Sequence, residues 1–251
     1  MDRNSVKWSG PMPAVVTPFD DRGAISESLL EQNLEILLAK GATGFIVGGC
    51  TGEFWSLLPE ERRRLYSLSA KIVGGRGTVI AGTGSISHRE VIDLTKAAQD
   101  AGCDGALILP PYFVKLTDDE LFAHFEAVSK SVTLPIMIYN SPQAATNSLS
   151  PELALRLSDL DPIVAIKESA GDWNNYYATA MAVQHRLRVF CGPSSVYGVA
   201  AVLLGADGLI DCFPNVWAPG CLDLYHAVKR GDLDAARELQ KLGVALTTLF
   251  T

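Results

Sequence analysis

The chain contains no C-x-x-C pair, no block of like charge, no low-complexity segment and no apolar stretch longer than the run 199–204. Each absence excludes something. Without closely paired cysteines, the five thiols Cys50, Cys103, Cys191, Cys212 and Cys221 form an odd set, read as reduced and mostly buried in a cytoplasmic protein. A run as short as 199–204 cannot span a bilayer, and Met1-Asp2-Arg3-Asn4-Ser5 leads into Val6-Lys7-Trp8 with no apolar signal core. Neither export nor membrane insertion is expected. Acidic and basic residues are mixed along the chain with a formal net charge of −7, which leaves no electrostatic footprint for nucleic acid or anionic lipid. The four histidines, His88, His124, His185 and His226, show no ligand spacing such as H-E-x-x-H, so no metal site is expected.

Apolar residues make up 48% of the 251 positions and charged residues 20%, enough for a large core in a soluble globular protein. Short β-branched runs alternate with longer amphipathic segments, the rhythm of parallel strands joined by crossover helices. The predicted strands are 14–17, 44–48, 78–82, 105–109, 135–140, 163–167, 188–192 and 208–212. Helix starts carry cap patterns at Ser26-Glu27-Ser28, at Ser87-His88-Arg89-Glu90, at Thr117-Asp118-Asp119-Glu120 and at Ser150-Pro151. Glycines close others, as at Gly41 and Gly102. Eight strand-helix units without a long linker predict one α/β chain of the TIM (β/α)8 barrel type, with a doubly wound open sheet as the alternative.

In such a barrel the functional groups lie at the C-terminal ends of strands. Lys167 ends the run Ile163-Val164-Ala165-Ile166 and precedes Glu168-Ser169. An ammonium is costly there, because desolvation penalises the charged form and leaves an amine able to attack a carbonyl. Upstream, Pro135-Ile136-Met137-Ile138 ends in Tyr139-Asn140-Ser141-Pro142. A strand ending in a phenol and a strand ending in an amine suggest Schiff-base chemistry. After the second strand comes Gly48-Gly49-Cys50-Thr51-Gly52-Glu53-Phe54, whose glycines allow backbone amides to converge on a carboxylate beside the Thr51 hydroxyl. It lacks the lysine of a phosphate loop. Gly82-Thr83-Gly84 lacks the third glycine of a dinucleotide loop and reads as a strand end.

Taken together, Gly49-Cys50-Thr51-Gly52-Glu53, Tyr139-Asn140-Ser141-Pro142 and Ile166-Lys167-Glu168-Ser169 resemble the signatures of the dihydrodipicolinate synthase and N-acetylneuraminate lyase family. The resemblance begins at Pro13-Ala14-Val15-Val16-Thr17-Pro18-Phe19 and runs to at least Leu224. It implies a barrel over 1–230 and, over 231–251, the start of a C-terminal helical extension that is otherwise largely missing. It implies a homo-oligomer, a dimer or a tetramer built from two dimers, and a class I, metal-free mechanism on a 2-oxo acid with no cofactor beyond the covalent imine. Position by position, Lys167 would be the Schiff-base lysine, Tyr139 the acid-base phenol, and Thr51 with Gly49 and Cys50 the carboxylate cradle. Gly192 and Ser194 in the seventh loop, and Asp211 at the end of the eighth strand, are the further substrate-binding candidates. Asp211 could equally bond to backbone.

Three departures narrow the expectation. Cys50 stands where the synthase pattern has a second threonine, Phe113 stands where it has a relay tyrosine, and Gln143-Ala144-Ala145-Thr146 offers no arginine to clamp a second carboxylate. The expected activity is therefore a lyase, either an aldolase or a dehydratase, acting on pyruvate or a sugar-derived 2-oxo acid through Lys167. The alternatives are a genuine 4-hydroxy-tetrahydrodipicolinate synthase or a catalytically degenerate small-molecule binder.

Overall fold

In the computed structural model, which describes residues 1–249, the short apolar runs become strands and the amphipathic segments become the helices between them. The strands are β1 (Gly10–Pro11), β2 (Gly44–Val47), β3 (Thr78–Gly82), β4 (Gly105–Ile108), β5 (Ile136–Asn140), β6 (Ile163–Glu168), β7 (Arg188–Cys191) and β8 (Gly208–Leu209). The intervening helices are α1 (Glu27–Ala39), α2 (Pro59–Val73), α3 (His88–Asp100), α4 (Asp118–Ser129), α5 (Pro142–Ala145), α6 (Pro151–Leu157), α7 (Trp173–Val183) and α8 (Ser194–Leu204). After β8 come α9 (Leu222–Arg230) and α10 (Leu233–Thr247).

All ladders are parallel, in the order β1-β8-β7-β6-β5-β4-β3-β2. The remaining seam, between β1 and β2, is closed by a parallel bridge from Ala14 to Ile46 and by three bonds: Thr43 N–H to Pro11 O, Ile46 N–H to Pro13 O, and Val15 N–H to Ile46 O. The result is the expected TIM barrel.

The first strand lies earlier than the predicted 14–17. Gly10, Met12 and Ala14 donate to carbonyls of Asp207, Leu209 and Asp211 on the β8 side. Pro11 and Pro13, on the β2 side, have no N–H to give and only accept, which leaves a broken ladder that reads poorly as a strand.

Alternation sorts the side chains into two cores. Phe45, Val79, Ala81, Ile108, Ile136, Ile138 and Ile166 face the helices, while Ile46, Ile80, Leu107, Met137 and Phe190 fill the barrel interior. Val6 and Trp8 join the interior cluster, and Trp8 lies against Gly105 at the start of β4, so the N-terminal segment plugs the bottom of the barrel. In β6 the alternation breaks. Ile136 pairs with Ile163 but Met137 pairs with Ala165, so Val164 is an extra residue, and Val164 and Ala165 both belong to the interior cluster. A one-residue bulge reverses the facing of everything after it. Lys167 consequently faces the interior rather than the helices.

Two of the four predicted caps form with side chains. Thr117 Oγ1 accepts from Glu120 N–H at 3.3 Å while Glu120 takes the Thr117 amide at 2.8 Å, and Ser150 Oγ accepts from Leu153 N–H at 3.0 Å. Ser26 and Ser87 stand at N-cap positions without a side-chain bond to the helix backbone, and Glu90 accepts from the Ser85 hydroxyl at 2.6 Å instead of closing a capping box on Ser87.

The segment expected to begin the C-terminal extension contains α10, which packs on α8. Gln240 donates to the Ser194 carbonyl at 3.1 Å and accepts from Val199 N–H at 3.0 Å. Positions 250 and 251 of that expected segment lie outside the described residues.

Candidate active site

Tyr139 and Lys167 are direct partners in the β5–β6 register, and Asn140 and Glu168 are the next pair. Alternation turns the first pair into the barrel mouth and the second toward the helices. Lys167 is only 7% exposed, and its Nζ lies 4.4 Å from the centre of the Tyr139 ring, a cation–π distance.

Behind them, Asn140 Nδ2 donates to Glu168 at 2.7 Å and to the Leu149 carbonyl at 3.1 Å, while its Oδ1 accepts from Leu149 N–H at 2.9 Å. The other Glu168 oxygen accepts from Ala170 N–H at 2.7 Å. This fully buried carboxylate therefore rivets β5 to β6 rather than pairing with the adjacent lysine. Burial pushes its pKa up to about 7, against the pull of the two N–H bonds, which favour the charged form.

Thr51 faces the same mouth from the loop after β2. It lines, with Tyr139, Lys167, Ser169, Gly192 and Asp211, a cleft of about 210 Å³. Gly49 and Cys50 line a narrower cavity next to it, which also touches Tyr139. Among the described residues, the amides of Cys50 and Thr51 donate to no protein acceptor, so they remain free for an anionic ligand.

Close packing explains two glycines of the site. A Cβ at Gly82 would lie 2.1 Å from the Gly48 carbonyl oxygen, so only glycine lets the loop after β2 cross the end of β3. The Tyr66 hydroxyl and Arg62 guanidinium both donate to the Gly82 carbonyl, at 2.6 and 2.7 Å, and fix that crossing from the helix side. A Cβ at Gly192 would lie 1.6 Å from Ser169 Oγ. Gly192 serves the site by leaving Ser169 room.

Asp211 resolves toward one of its two expected roles. Its Oδ2 accepts from the Ser194 hydroxyl at 2.6 Å and from Ser195 N–H at 2.9 Å, and its Oδ1 accepts from Cys212 N–H at 2.7 Å and Phe213 N–H at 3.3 Å. Four donors occupy the carboxylate, which ties the seventh loop to the eighth. Ser194, expected as a substrate-binding candidate, is fully buried, and its hydroxyl donates to Asp211. Cys212 lines the cleft too, and burial, reinforced by the Asp211 carboxylate, pushes its thiol up to about 11. That thiol stays protonated near neutrality and is a poor nucleophile.

Ser169, Pro193, Ile210 and Cys212 line the cleft without having been singled out in the sequence. Each sits at or just past a strand end, so the barrel rule selects the region. Nothing in the letters says which side chains turn inward.

The dihydrodipicolinate synthetase family model matches residues 7–250. The 4-hydroxy-tetrahydrodipicolinate synthase of Hyphomonas neptunium is 36% identical over 237 residues, covering 93% of this chain and 80% of that protein. The dihydrodipicolinate synthase of Acinetobacter baumannii, solved with pyruvate, superposes with a TM-score of 0.88 at 33% identity, over 93% of this chain and 80% of that one. YagE of Escherichia coli K12, also solved with pyruvate, superposes with a TM-score of 0.92 at 30% identity, over 97% and 83%. Sequence match and barrel agree from end to end, and the chain belongs to the dihydrodipicolinate synthetase family.

Proposed function

We propose that Lys167 is the imine-forming residue of a class I lyase, an aldolase or a dehydratase, acting on pyruvate or a sugar-derived 2-oxo acid. The enzyme class follows from family membership, since the family is one of pyruvate-dependent Schiff-base lyases. The assignment to Lys167 rests on one observation: a nearly buried amine 4.4 Å from the Tyr139 ring, in a cleft that Thr51 also lines.

The neutral amine attacks the ketone carbon to give a carbinolamine, and loss of water leaves an iminium. Removal of a C3 proton passes that bond's electron pair into the iminium and gives an enamine. The enamine adds to an aldehyde carbon, whose oxygen takes up a proton. Cleavage is the reverse, and loss of a C4 hydroxyl as water is the dehydration branch. Tyr139 is the group positioned to carry these protons. Thr51 and the free amides of Cys50 and Thr51 suit the substrate carboxylate. The imine supplies the electron sink, so this mechanism needs no dissociable cofactor.

The reading is tested by borohydride reduction with pyruvate. The peptide containing Lys167 gains the mass of the reduced adduct, and K167A gains none. An unmodified wild-type peptide across a set of 2-oxo acids overturns the assignment. Assay with aspartate semialdehyde and pyruvate tests the synthase alternative, which the missing clamp arginine and the Phe113 substitution disfavour.

A homo-oligomer, dimer or tetramer, is also proposed. Phe113 supports it: the side chain is 85% exposed on a backbone with φ of +76°, an unfavourable way to present an apolar ring to water unless something covers it. Sedimentation velocity at micromolar concentration measures it. A reducing, cytoplasmic location fits the five free cysteines. No helix among the described residues is long and apolar enough to cross a membrane.

A further inference from the structure

Beside the reactive cleft lies a second cavity of about 360 Å³, lined by Cys50, Phe54, Trp55, Leu109, Tyr112 and Ala144. Cys50, Phe54 and Leu109 also line the narrow cavity that reaches Tyr139, and Tyr139 lines the cleft that holds Lys167. The annex and the reactive cleft are therefore neighbours, separated beside the Tyr139 phenol by that narrow cavity of about 10 Å³.

None of the six lining side chains carries a formal charge. The Phe54 ring meets Trp55 edge-on at 5.5 Å and Tyr112 edge-on at 5.8 Å, so three aromatic rings frame the space. Arg62, the cation that packs on Phe54, is already committed. Its guanidinium lies 5.3 Å from the Phe54 ring centre and donates to the Gly82 and Gly84 carbonyls, and the residue is 4% exposed. Gln143, next to Ala144, donates to the Ala170 carbonyl at 2.7 Å.

A hydroxylated or anionic tail entering such a space loses water and meets few polar partners. A ring or branched alkyl group meets aromatic faces. The volume suffices, since about 150 Å³ of apolar cavity is enough to admit benzene.

Building on the Lys167 imine assignment, we propose that this annex is the acceptor subsite and that it selects apolar aldehydes, aryl or branched alkyl, as the partner of pyruvate. In the cleavage direction the substrate is a 4-hydroxy-2-oxo acid with an apolar group on C4. Loss of the C4 hydroxyl proton turns that oxygen into the aldehyde carbonyl, and the C3–C4 electron pair passes into the imine as the enamine.

The test pairs pyruvate with benzaldehyde, isobutyraldehyde, D-glyceraldehyde and succinic semialdehyde, and measures kcat/KM for addition together with borohydride trapping of pyruvate on the same enzyme. The two apolar aldehydes are expected to exceed the other two by about tenfold or more, a discrimination that a hydrophobic pocket supplies. In A144R, which places a cation at an exposed position on the annex wall, the ratio of benzaldehyde to succinic semialdehyde kcat/KM falls by about tenfold or more. Normal trapping with equal or better use of glyceraldehyde or succinic semialdehyde overturns the annex assignment and leaves Lys167 standing. Normal trapping with no turnover of either apolar aldehyde does the same. Absence of trapping removes both.

Discussion

Tyr139→Phe removes the phenol hydroxyl beside Lys167 while leaving the ring against Nζ. Steady-state kcat should fall by about 10²- to 10⁴-fold, as for other proton-transfer groups, with pyruvate still trapped by borohydride. The amine and phenol were legible in the sequence because strand-end position and neighbouring motif both pointed at them. Asp211 and Ser194 were not, because a carboxylate at a strand end is spelled identically whether it faces a ligand or four N–H and O–H donors. Glu168 was quoted only as part of a motif, yet it gives the clearest pH prediction. With its pKa raised from 4.5 to about 7, mainly by burial, the folded chain holds a proton that the unfolded chain has released. This group's contribution to stability is thus complete below about pH 4.5 and is lost as pH rises through 7. Thermal midpoints measured from pH 5 to pH 8 should decline in wild type. In Glu168→Gln that part of the decline disappears, and the amide, facing the Asn140 or Ala170 N–H, lowers stability by about 1–3 kcal/mol at all pH values.

Helix starts show how far pattern can be trusted at the scale of one element. Thr117 and Ser87 carry the same written signature, yet only Thr117 forms the reciprocal bonds. Thr117→Ala should cost about 1 kcal/mol in chemical denaturation, whereas Ser87→Ala should stay within about 0.5 kcal/mol of wild type. Competition explains the difference, since Glu90 has a closer partner in Ser85, which sequence spacing does not reveal. Strands behaved similarly. Seven of the eight predicted runs overlap an observed strand, because burial on both faces of a parallel sheet writes a continuous apolar stretch. The first run slipped because Pro11 and Pro13 remove donors on one side while the other side still bonds to β8.

At the scale of the whole molecule, the closing helix reaches back toward the mouth. Gln240 of α10 holds the Ser194 carbonyl, and Ser194 in turn holds Asp211, so the C-terminal helix stiffens the loops that bound the cleft. Gln240→Ala should lower stability by about 1–3 kcal/mol and increase amide exchange in residues 193–199, measured by hydrogen-exchange mass spectrometry. Barrel closure was legible from eight repeated units, but this long-range link was not, because it depends on side chains that meet only after the chain has folded. The surplus residue Val164 has the widest reach. Anyone copying the phenol and amine onto another toroidal scaffold must also copy that hiccup in the pleat. On a strand of ordinary length the donor amine would emerge among the outer helices, and the acid that follows it would occupy the lumen.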